Sequence, residues 1–407
     1  MTTETTNLTV EEQGVLPSRE RWFPRTVIAF SLLACALQVS IFGFNMSGWA
    51  WLGGLGAAVA VLLRQGVGRA TVPIQYWAPW ITIVLVYIGW NFDNALQSAT
   101  QILCPLVIGA AASTLRPSHE EKGEFLQLYR VAAAVFLGIV VFLRLPMLFL
   151  GRLPETTGLA PETMTAMLFQ SLFLCSYLLQ RKQVDLLLYG ACAAIPVVSL
   201  IRGSILGSLA LAILTLAPLA PWRRLLIVAA ALVIGFVVFN MPLVQRKMFW
   251  SGRGSIGDVV WENTDLRKHN RDRMWRRLWS GVEEQPWLGH GGNADATDLL
   301  NAGFPTHLPH NDWVRILFNY GIVGCALYVG AILLQILHGW RWAALSRPHT
   351  QVFLYAGLSA FVPYAVVMFC DNILVYASFY GNLHFLLLGF GYGSLATEVE
   401  QKLLLET

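Results

Sequence analysis

Charged residues are scarce in this chain, and their scarcity decides the class of protein. Of the 407 residues, 13% are charged and 56% are hydrophobic, and the mean hydropathy is +0.55. Soluble domains contain about 25% charged residues. The composition therefore excludes a soluble globular protein and predicts an all-α protein that crosses the membrane many times. The net charge of +4 is small and gives no sign of nucleic-acid binding.

The sequence also lacks the spacings that several kinds of site require. Its six cysteines lie in or beside apolar segments without paired spacing, which favours small apolar side chains in helices. His307 and His310 are three residues apart, but Pro309 lies between them and no Cys or carboxylate has the usual zinc spacing, so we expect no metal. The glycine-rich stretch 285–293 lacks the Lys-Ser/Thr of a nucleotide loop, and no serine stands in a nucleophile elbow.

Apolar runs of roughly 16 to 24 residues divide most of the chain, a length typical of transmembrane helices. About twelve are predicted, at 26–44, 46–63, 75–91, 98–114, 129–150, 162–180, 184–201, 203–220, 223–240, 313–340, 350–370 and 376–395. Lys and Arg follow alternate runs, as at Arg64 and Arg69 or Arg181 and Lys182. Because positive loops stay inside, residues 1–25 and 396–407 are predicted to be cytoplasmic tails.

One connection on the opposite, periplasmic side is long. Residues 241–312 separate nine predicted spans, within 26–240, from three within 313–395. The insert contains nine Lys or Arg and nine Asp or Glu residues, so it is highly charged but neutral overall. We expect a small polar subdomain, or a lid, over the outer membrane face.

Arg202 lies in a short break of the apolar run from Val184 to Ala220, which is too long for a single span. Two helices are therefore predicted to meet at the periplasmic face, with Gly203 allowing the backbone to turn. An arginine at such a place is costly without an anionic partner. It either binds a phosphate or extends its guanidinium to the membrane interface.

Residues 266–279 are predicted to form an amphipathic helix. Arg267 and Arg271 fall on the same face as the apolar residues that follow, so Arg271 is expected to point inward. A planar guanidinium in that position suits the bidentate binding of a phosphate. The alternative for this cluster of basic residues is a solvated face.

The pair His310-Asn311 directly precedes the predicted tenth helix. A titratable histidine at the mouth of a membrane helix is a candidate proton-transfer group. Asp371, beside Asn372 at the outer end of the eleventh helix, could orient a histidine or an arginine. Asp371 could equally be a polar loop residue, and the same alternatives apply to Asp93, Arg144 and Arg152.

Three blocks in order resemble the O-antigen ligase and polymerase superfamily of bacterial membrane glycosyltransferases. They are Arg202-Gly203 at a helix break, Arg271-x-x-x-Trp275 followed by Pro286-x-x-Gly289-x-Gly291, and His310-Asn311 followed by Gly321-x-x-Gly324. The predicted topology agrees with that superfamily over nearly the whole chain. One departure is Ile201, because the family often has Ser before the first arginine.

The resemblance implies a GT-C-like glycosyltransferase of the bacterial inner membrane, with its active site facing the periplasm. The donor would be an undecaprenyl-diphosphate-linked glycan, and the acceptor would be lipid A–core or another lipid-linked glycan. No metal, nucleotide or other cofactor is expected, and the anomeric centre would be inverted. The diphosphate would bind Arg202 and Arg271, and the general base would be His310. Possible supporting residues are Arg267, His307, Asn311 and Asp371.

Three functions stay open at this point. The single large insert favours a ligase, because polymerases of the superfamily often have a second large periplasmic loop and the 151–161 connection here is short. An O-antigen or exopolysaccharide polymerase is the alternative. A lipid-linked glycan transporter would need charged or broken helices along a path through the membrane. The centres of the predicted spans are almost free of charge, which argues against a transporter.

Overall fold

The computed structural model describes residues 20–37, 39–90, 92–149, 159–260, 263–267 and 271–406, and these residues are mostly helical. The all-α prediction is confirmed, apart from a two-residue hairpin of β1 (Ser40–Ile41) and β2 (Phe44–Asn45). The helices before the polar insert are α1 (Trp22–Ala36), α2 (Met46–Gln65), α3 (Ala78–Trp90), α4 (Phe92–Ser113), α5 (His119–Ile139), α6 (Leu145–Phe149), α7 (Ala160–Gln180), α8 (Gln183–Ser199), α9 (Arg202–Leu214) and α10 (Pro221–Asn240). A π-helix, Val140–Arg144, joins α5 to α6.

The insert itself contains α11 (Pro242–Met248), α12 (Arg271–Glu284) and α13 (Ala294–Asn301). It is followed by α14 (Asp312–Leu345), α15 (Pro348–Ser359), α16 (Phe361–Val367) and α17 (Asn382–Glu406). Short 3-10 turns lie at Val67–Arg69, Ile74–Tyr76, Ile256–Asp258 and Ile373–Val375, and a π-helix at Ala377–Gly381 leads into α17. Residues 370–372, between α16 and α17, prove central to the site described below.

Six stretches of the described residues are long and apolar enough to cross a membrane, judged by length and composition. They are α2, residues 95–113, residues 119–147, α10, α14 and residues 348–367. Four shorter apolar helices are α1, residues 78–89, α8 and α9. Each of the twelve predicted spans overlaps a helix. These findings support a polytopic membrane protein, and the number of twelve spans stays a prediction.

The helix break predicted near Arg202 has a different geometry from the one expected. The chain turns at Leu200, whose φ is 55°, and Arg202 is already the first residue of α9. The prediction that Gly203 makes the turn is therefore wrong. A Cβ on Gly203 would come 2.5 Å from Sγ of Cys370, so this glycine instead allows α9 to approach residue 370 closely.

The helix predicted at 266–279 is displaced toward the C-terminus. It begins at Arg271, and residues 268–270 lie outside the described part of the chain. Arg267 is not helical, because Leu266 forms a β-bridge with Phe249 and the Arg267 amide donates to the carbonyl of Met248. Placing Arg267 on the face of this helix was wrong. The apolar face of α12 does point inward, where it forms a small core of Met274, Leu278, Val282, Leu299 and Phe318.

Candidate active site

The three residues Cys370-Asp371-Asn372 contact two of the predicted site residues. The carbonyl of Cys370 accepts a hydrogen bond of 2.9 Å from Nη1 of Arg271, at the start of α12. Oδ1 of Asp371 lies 3.2 Å from Nδ1 of His310, and Nδ2 of Asn372 lies 3.2 Å from the same nitrogen. One short segment thus joins the first residue of α12 to the histidine that precedes α14.

The backbone at His310 is held in an uncommon conformation. Its φ of 53° is in the left-handed region, which residues other than glycine rarely adopt. On one side, Nε1 of Trp275 donates to the carbonyl of Pro309 at 2.7 Å. On the other, Asn311 caps α14 by accepting from the amide of Val314 at 3.0 Å. Asn311 therefore acts as a helix cap, and the turn leaves the imidazole of His310 27% exposed.

Asp312 attaches this helix end to the segment that follows α16. It is fully buried, and its carboxylate accepts from the amide of Leu374 at 2.8 Å. Its own amide donates to the carbonyl of Met368 at 2.8 Å. These two bonds lie on either side of residues 370–372, so they fix His310 relative to Asp371 and Asn372.

Arg202 approaches the same segment from the start of α9. Gly203 packs on Cys370, and the charge of Arg202 is within electrostatic range of Arg271 and Cys370. Nη2 of Arg202 lies 3.4 Å from the carbonyl of Arg267, a weak hydrogen bond. Neither Arg202 nor Arg271 forms an ion pair with the residues that the structure describes. Two half-buried guanidinium groups without an acidic partner are unfavourable until an anion binds.

Lys247, near the end of α11, adds a third positive charge that sequence reasoning missed. Its neighbour Met248 accepts the backbone hydrogen bond from Arg267, whose carbonyl contacts Arg202. Although part of Lys247 reaches solvent, desolvation of its amine and the charge of Arg202 lower its pKa. The only signal in the sequence was that Lys247 lies in the polar insert. That signal does not single it out, because the insert contains many other basic residues.

The remaining predicted residues have indirect places in the site or none. The guanidinium of Arg267 stacks over the ring of Trp250, 4.5 Å from the ring centroid, and its carbonyl contacts Arg202. His307 is exposed and forms no hydrogen bond with the described residues around His310. Its proximity to His310 along the sequence is not accompanied by a shared contact.

Arg144 is not the polar loop residue that one interpretation of the sequence suggested. It ends the π-helix and forms a buried ion pair with Glu162, with 2.6 Å between Nε and Oε1. The adjacent Thr163 shares a hydrogen bond of 2.7 Å with Ser204 in the first turn of α9. Through the adjacent Thr163, the Arg144–Glu162 ion pair therefore supports α9, the helix that carries Arg202. Arg152 and the side chain of Asp93 lie outside the described residues.

The two glycine motifs of the sequence contact each other and form a backbone joint. Gly321 interrupts α14 with a φ of 66°, and a Cβ there would come 2.3 Å from the carbonyl oxygen of Trp287. The freed amides of Ile322 and Val323 donate to the carbonyls of Pro286 and Trp287, at 2.7 and 3.1 Å. The stretch 285–293 therefore secures the insert to α14, and its glycines serve this contact between the two segments.

A buried charge network secures α13 to α14 beside this joint. Nε of Arg315 lies 3.3 Å from Oδ2 of Asp295, and its Nη2 donates to Asn293 and Ser98 at 3.1 and 3.3 Å. Asn319 donates to the other oxygen of Asp295 at 2.8 Å. Sequence reasoning missed this network, although a charged residue one turn into an apolar helix was a usable signal.

The arrangement offers an anion site beside a histidine that is supported by a carboxylate. No group of three or more His, Cys, Asp or Glu side chains that could hold a metal ion occurs in the described part of the chain. Chemically, the guanidinium groups can bind an anionic leaving group, while the histidine exchanges a proton with a hydroxyl. Such a site suits group transfer from a phosphate ester to an alcohol.

Comparison with known proteins gives two similarities. A family model described as "O-Antigen ligase" matches residues 187–329, which include Arg202, Arg271 and His310. A curated O-antigen ligase from Pseudomonas aeruginosa is 32% identical to this chain over 71 residues. That alignment covers 17% of this chain and 18% of the relative, so it spans less than a fifth of either protein. Residues 187–329 are thus similar to the O-antigen ligase family, and both similarities agree with the resemblance to the O-antigen ligase superfamily.

Proposed function

We propose that this protein is an O-antigen ligase of the bacterial inner membrane. It transfers a polysaccharide from undecaprenyl diphosphate to lipid A–core at the periplasmic face, a step of lipopolysaccharide biosynthesis. The observation that carries the proposal is that a carboxylate-supported His310 and Arg271, which has no ion pair among the described residues, meet on one segment, residues 370–372. The match of residues 187–329 to the O-antigen ligase family supports the same conclusion.

The donor is held by its diphosphate. Arg271 and Arg202 bind the phosphate oxygens, and Lys247 adds positive charge beside Arg202. The bond between the anomeric carbon and the phosphate oxygen breaks in the reaction, and that oxygen leaves with negative charge. Guanidinium groups already in place stabilise this charge as it grows, without the cost of reorganising solvent.

The acceptor is activated by His310. Because Nδ1 faces Asp371, the other ring nitrogen, Nε2, is the one directed away from that carboxylate. Nε2 takes the proton of the acceptor hydroxyl as its oxygen attacks the anomeric carbon from the side opposite the diphosphate. Asp371 stabilises the imidazolium that forms. A single displacement inverts the anomeric centre and needs neither a metal nor a nucleotide.

The polar insert covers this chemistry. Residues 241–312 form a periplasmic subdomain fixed to α14 by the glycine joint and by the Arg315 network. The spans within 26–240 and 313–395 hold the prenyl and acyl chains. A covered site limits the access of water, which would otherwise hydrolyse the donor.

A transfer reaction with purified components tests this proposal. The purified protein is mixed with undecaprenyl-diphosphate-linked glycan and lipid A–core, and the products are separated on a gel. A ligase gives lipid A–core carrying glycan of increasing length, as a ladder. Longer lipid-linked glycan would instead identify a polymerase of the same superfamily. A mixture with no new covalent product would exclude both enzymes and leave a transporter.

A further inference from the structure

Asn372 contacts the proposed base in a way that the proposed function does not explain. The residue is 1% exposed, and its Nδ2 lies 3.2 Å from Nδ1 of His310. The same Nδ1 lies 3.2 Å from Oδ1 of Asp371. Two side chains with different chemistry thus converge on one ring nitrogen.

The two contacts require opposite states of that nitrogen. An ionised carboxylate only accepts, so a hydrogen bond to Asp371 needs a proton on Nδ1. The Nδ2 group of Asn372 only donates, so a hydrogen bond from it needs a lone pair on Nδ1. A neutral imidazole satisfies one of these contacts and not the other. The position of the ring proton is therefore coupled to the orientation of the Asn372 amide.

The amide is free to follow the ring proton. Its Oδ1 is buried and has no hydrogen-bond partner among the described residues, so no bond there fixes the orientation of the group. Rotation by 180° about the Cβ–Cγ bond exchanges the two ends and directs Oδ1 toward Nδ1. The backbone is fixed separately, since the Asn372 amide nitrogen donates to Oδ1 of Asp371 at 2.9 Å.

We propose that Asn372 is a positioning residue that selects the tautomer of His310. With Oδ1 turned toward the ring, Asn372 and Asp371 together accept from Nδ1–H, and Nε2 keeps its lone pair for the acceptor proton. With Nδ2 turned toward the ring, Nε2 carries the proton and cannot act as a base. This inference rests on the proposed role of His310, but the tautomer itself can be measured without any reaction.

The charged groups around His310 set the background for this selection. Asp371 is in contact with the ring, and Asp312, at the start of α14, is within electrostatic range of Asp371. Arg271 donates to the carbonyl of Cys370, and Arg202 is within electrostatic range of both residues. Replacing Asn372 with Asp adds a carboxylate of the same shape beside Nδ1. The added negative charge then favours the protonated ring.

The first experiment is nitrogen NMR on the resting protein labelled with 15N-histidine. The signals of His310 are identified by their loss in a His310→Gln variant. We expect a proton on Nδ1 and an unprotonated Nε2, and we expect Asn372→Leu to shift the ring toward a mixture of tautomers. A proton on Nε2 in the wild-type protein, or a tautomer unchanged by Asn372→Leu, would overturn the proposal even if transfer activity is present.

The second experiment is the pH dependence of transfer. Since the base must be unprotonated, we expect activity to rise with pH. In Asn372→Asp this rise should move to higher pH. In Asn372→Leu the maximal rate should fall roughly threefold to tenfold, the range that one neutral hydrogen bond is worth, with an unchanged KM for the donor. If both variants lose the same amount of activity and the pH profile does not move, Asn372 has only a packing role. That result would contradict the inference.

Discussion

Two arginines of this chain, Arg315 and Arg271, lie in opposite electrostatic environments. Arg315 is buried and paired, because its guanidinium forms an ion pair with Asp295 and donates to Asn293 and Ser98. Arg271 is half-buried and donates only to the carbonyl of Cys370 among the hydrogen bonds of the described residues. The difference separates an arginine that holds the fold together from one that keeps donors available for a ligand. We expect substitutions around Arg315 to lower stability and substitutions around Arg271 to lower activity.

The largest effect on transfer activity is expected at His310, in the same site as Arg271. His310→Ala should lower the rate of transfer by about 10²- to 10⁴-fold, the usual contribution of a general base. Donor binding should persist, because the base acts on the acceptor proton. Initial rates and donor affinity are measured separately. His307→Ala is the matched control and should have a smaller effect; an inactive His307→Ala beside an active His310→Ala would mean that the base is misassigned.

Arg315→Met should produce the largest loss of stability. It leaves Asp295 buried with its carboxylate deprived of a cation, which typically costs about 3 to 5 kcal/mol. The thermal unfolding midpoint in detergent should fall. The double variant R315M/D295N removes the stranded charge and should recover part of that loss. Equal midpoints for the wild-type protein and Arg315→Met would show that the network does not hold the insert.

Arg271→Ala should have the opposite profile. Because Arg271 has no ion pair in the described part of the chain, the unfolding midpoint should change little, while donor affinity and transfer rate both fall. Arg271→Lys should restore only part of the activity, since a point charge does not reproduce the planar guanidinium. Full activity of Arg271→Ala would remove this residue from the site.

The glycine joint should respond to the smallest addition, one methyl group. In Gly321→Ala the new Cβ meets the carbonyl of Trp287 at 2.3 Å and occupies a backbone conformation with φ of 66°. We expect a loss of stability above about 1 kcal/mol. Gly330→Ala is a control on the same helix, because a Cβ there meets open space. Equal unfolding midpoints for the two variants would contradict the role of the joint.

Lys247 should show the smallest effect and a distinctive pH dependence. Its lowered pKa means that the amine loses its charge at a lower pH than an ordinary lysine does. Donor affinity should therefore decline as pH rises through that range in the wild-type protein. In Lys247→Met the affinity should be weaker at low pH and should lack this decline. An identical pH dependence in both proteins would exclude Lys247 from donor binding.

Much of this organisation could be predicted from the sequence, because it depends on local patterns. Apolar runs predicted the helices. The break in an apolar run singled out Arg202, the amphipathic pattern singled out Arg271, and the start of the tenth predicted helix singled out His310. The contacts of residues 370–372 could not be predicted from spacing, since His310 and Asp371 are 61 residues apart. Arg267 was misplaced because a tertiary β-bridge overrides its helical pattern. Gly203 was misread because its neighbour, Cys370, is distant in the chain.

The central claim is that Arg202 and Arg271 bind the lipid diphosphate, while His310 acts only on the acceptor. Its most direct test is the shift in unfolding midpoint that undecaprenyl diphosphate produces in the wild-type protein, His310→Ala, Arg271→Ala and Arg315→Met. A ligand that binds only the folded state raises the midpoint. We expect similar shifts in the wild-type protein, His310→Ala and Arg315→Met, and a much smaller shift in Arg271→Ala. A wild-type shift in Arg271→Ala, or its loss in His310→Ala, would contradict the account.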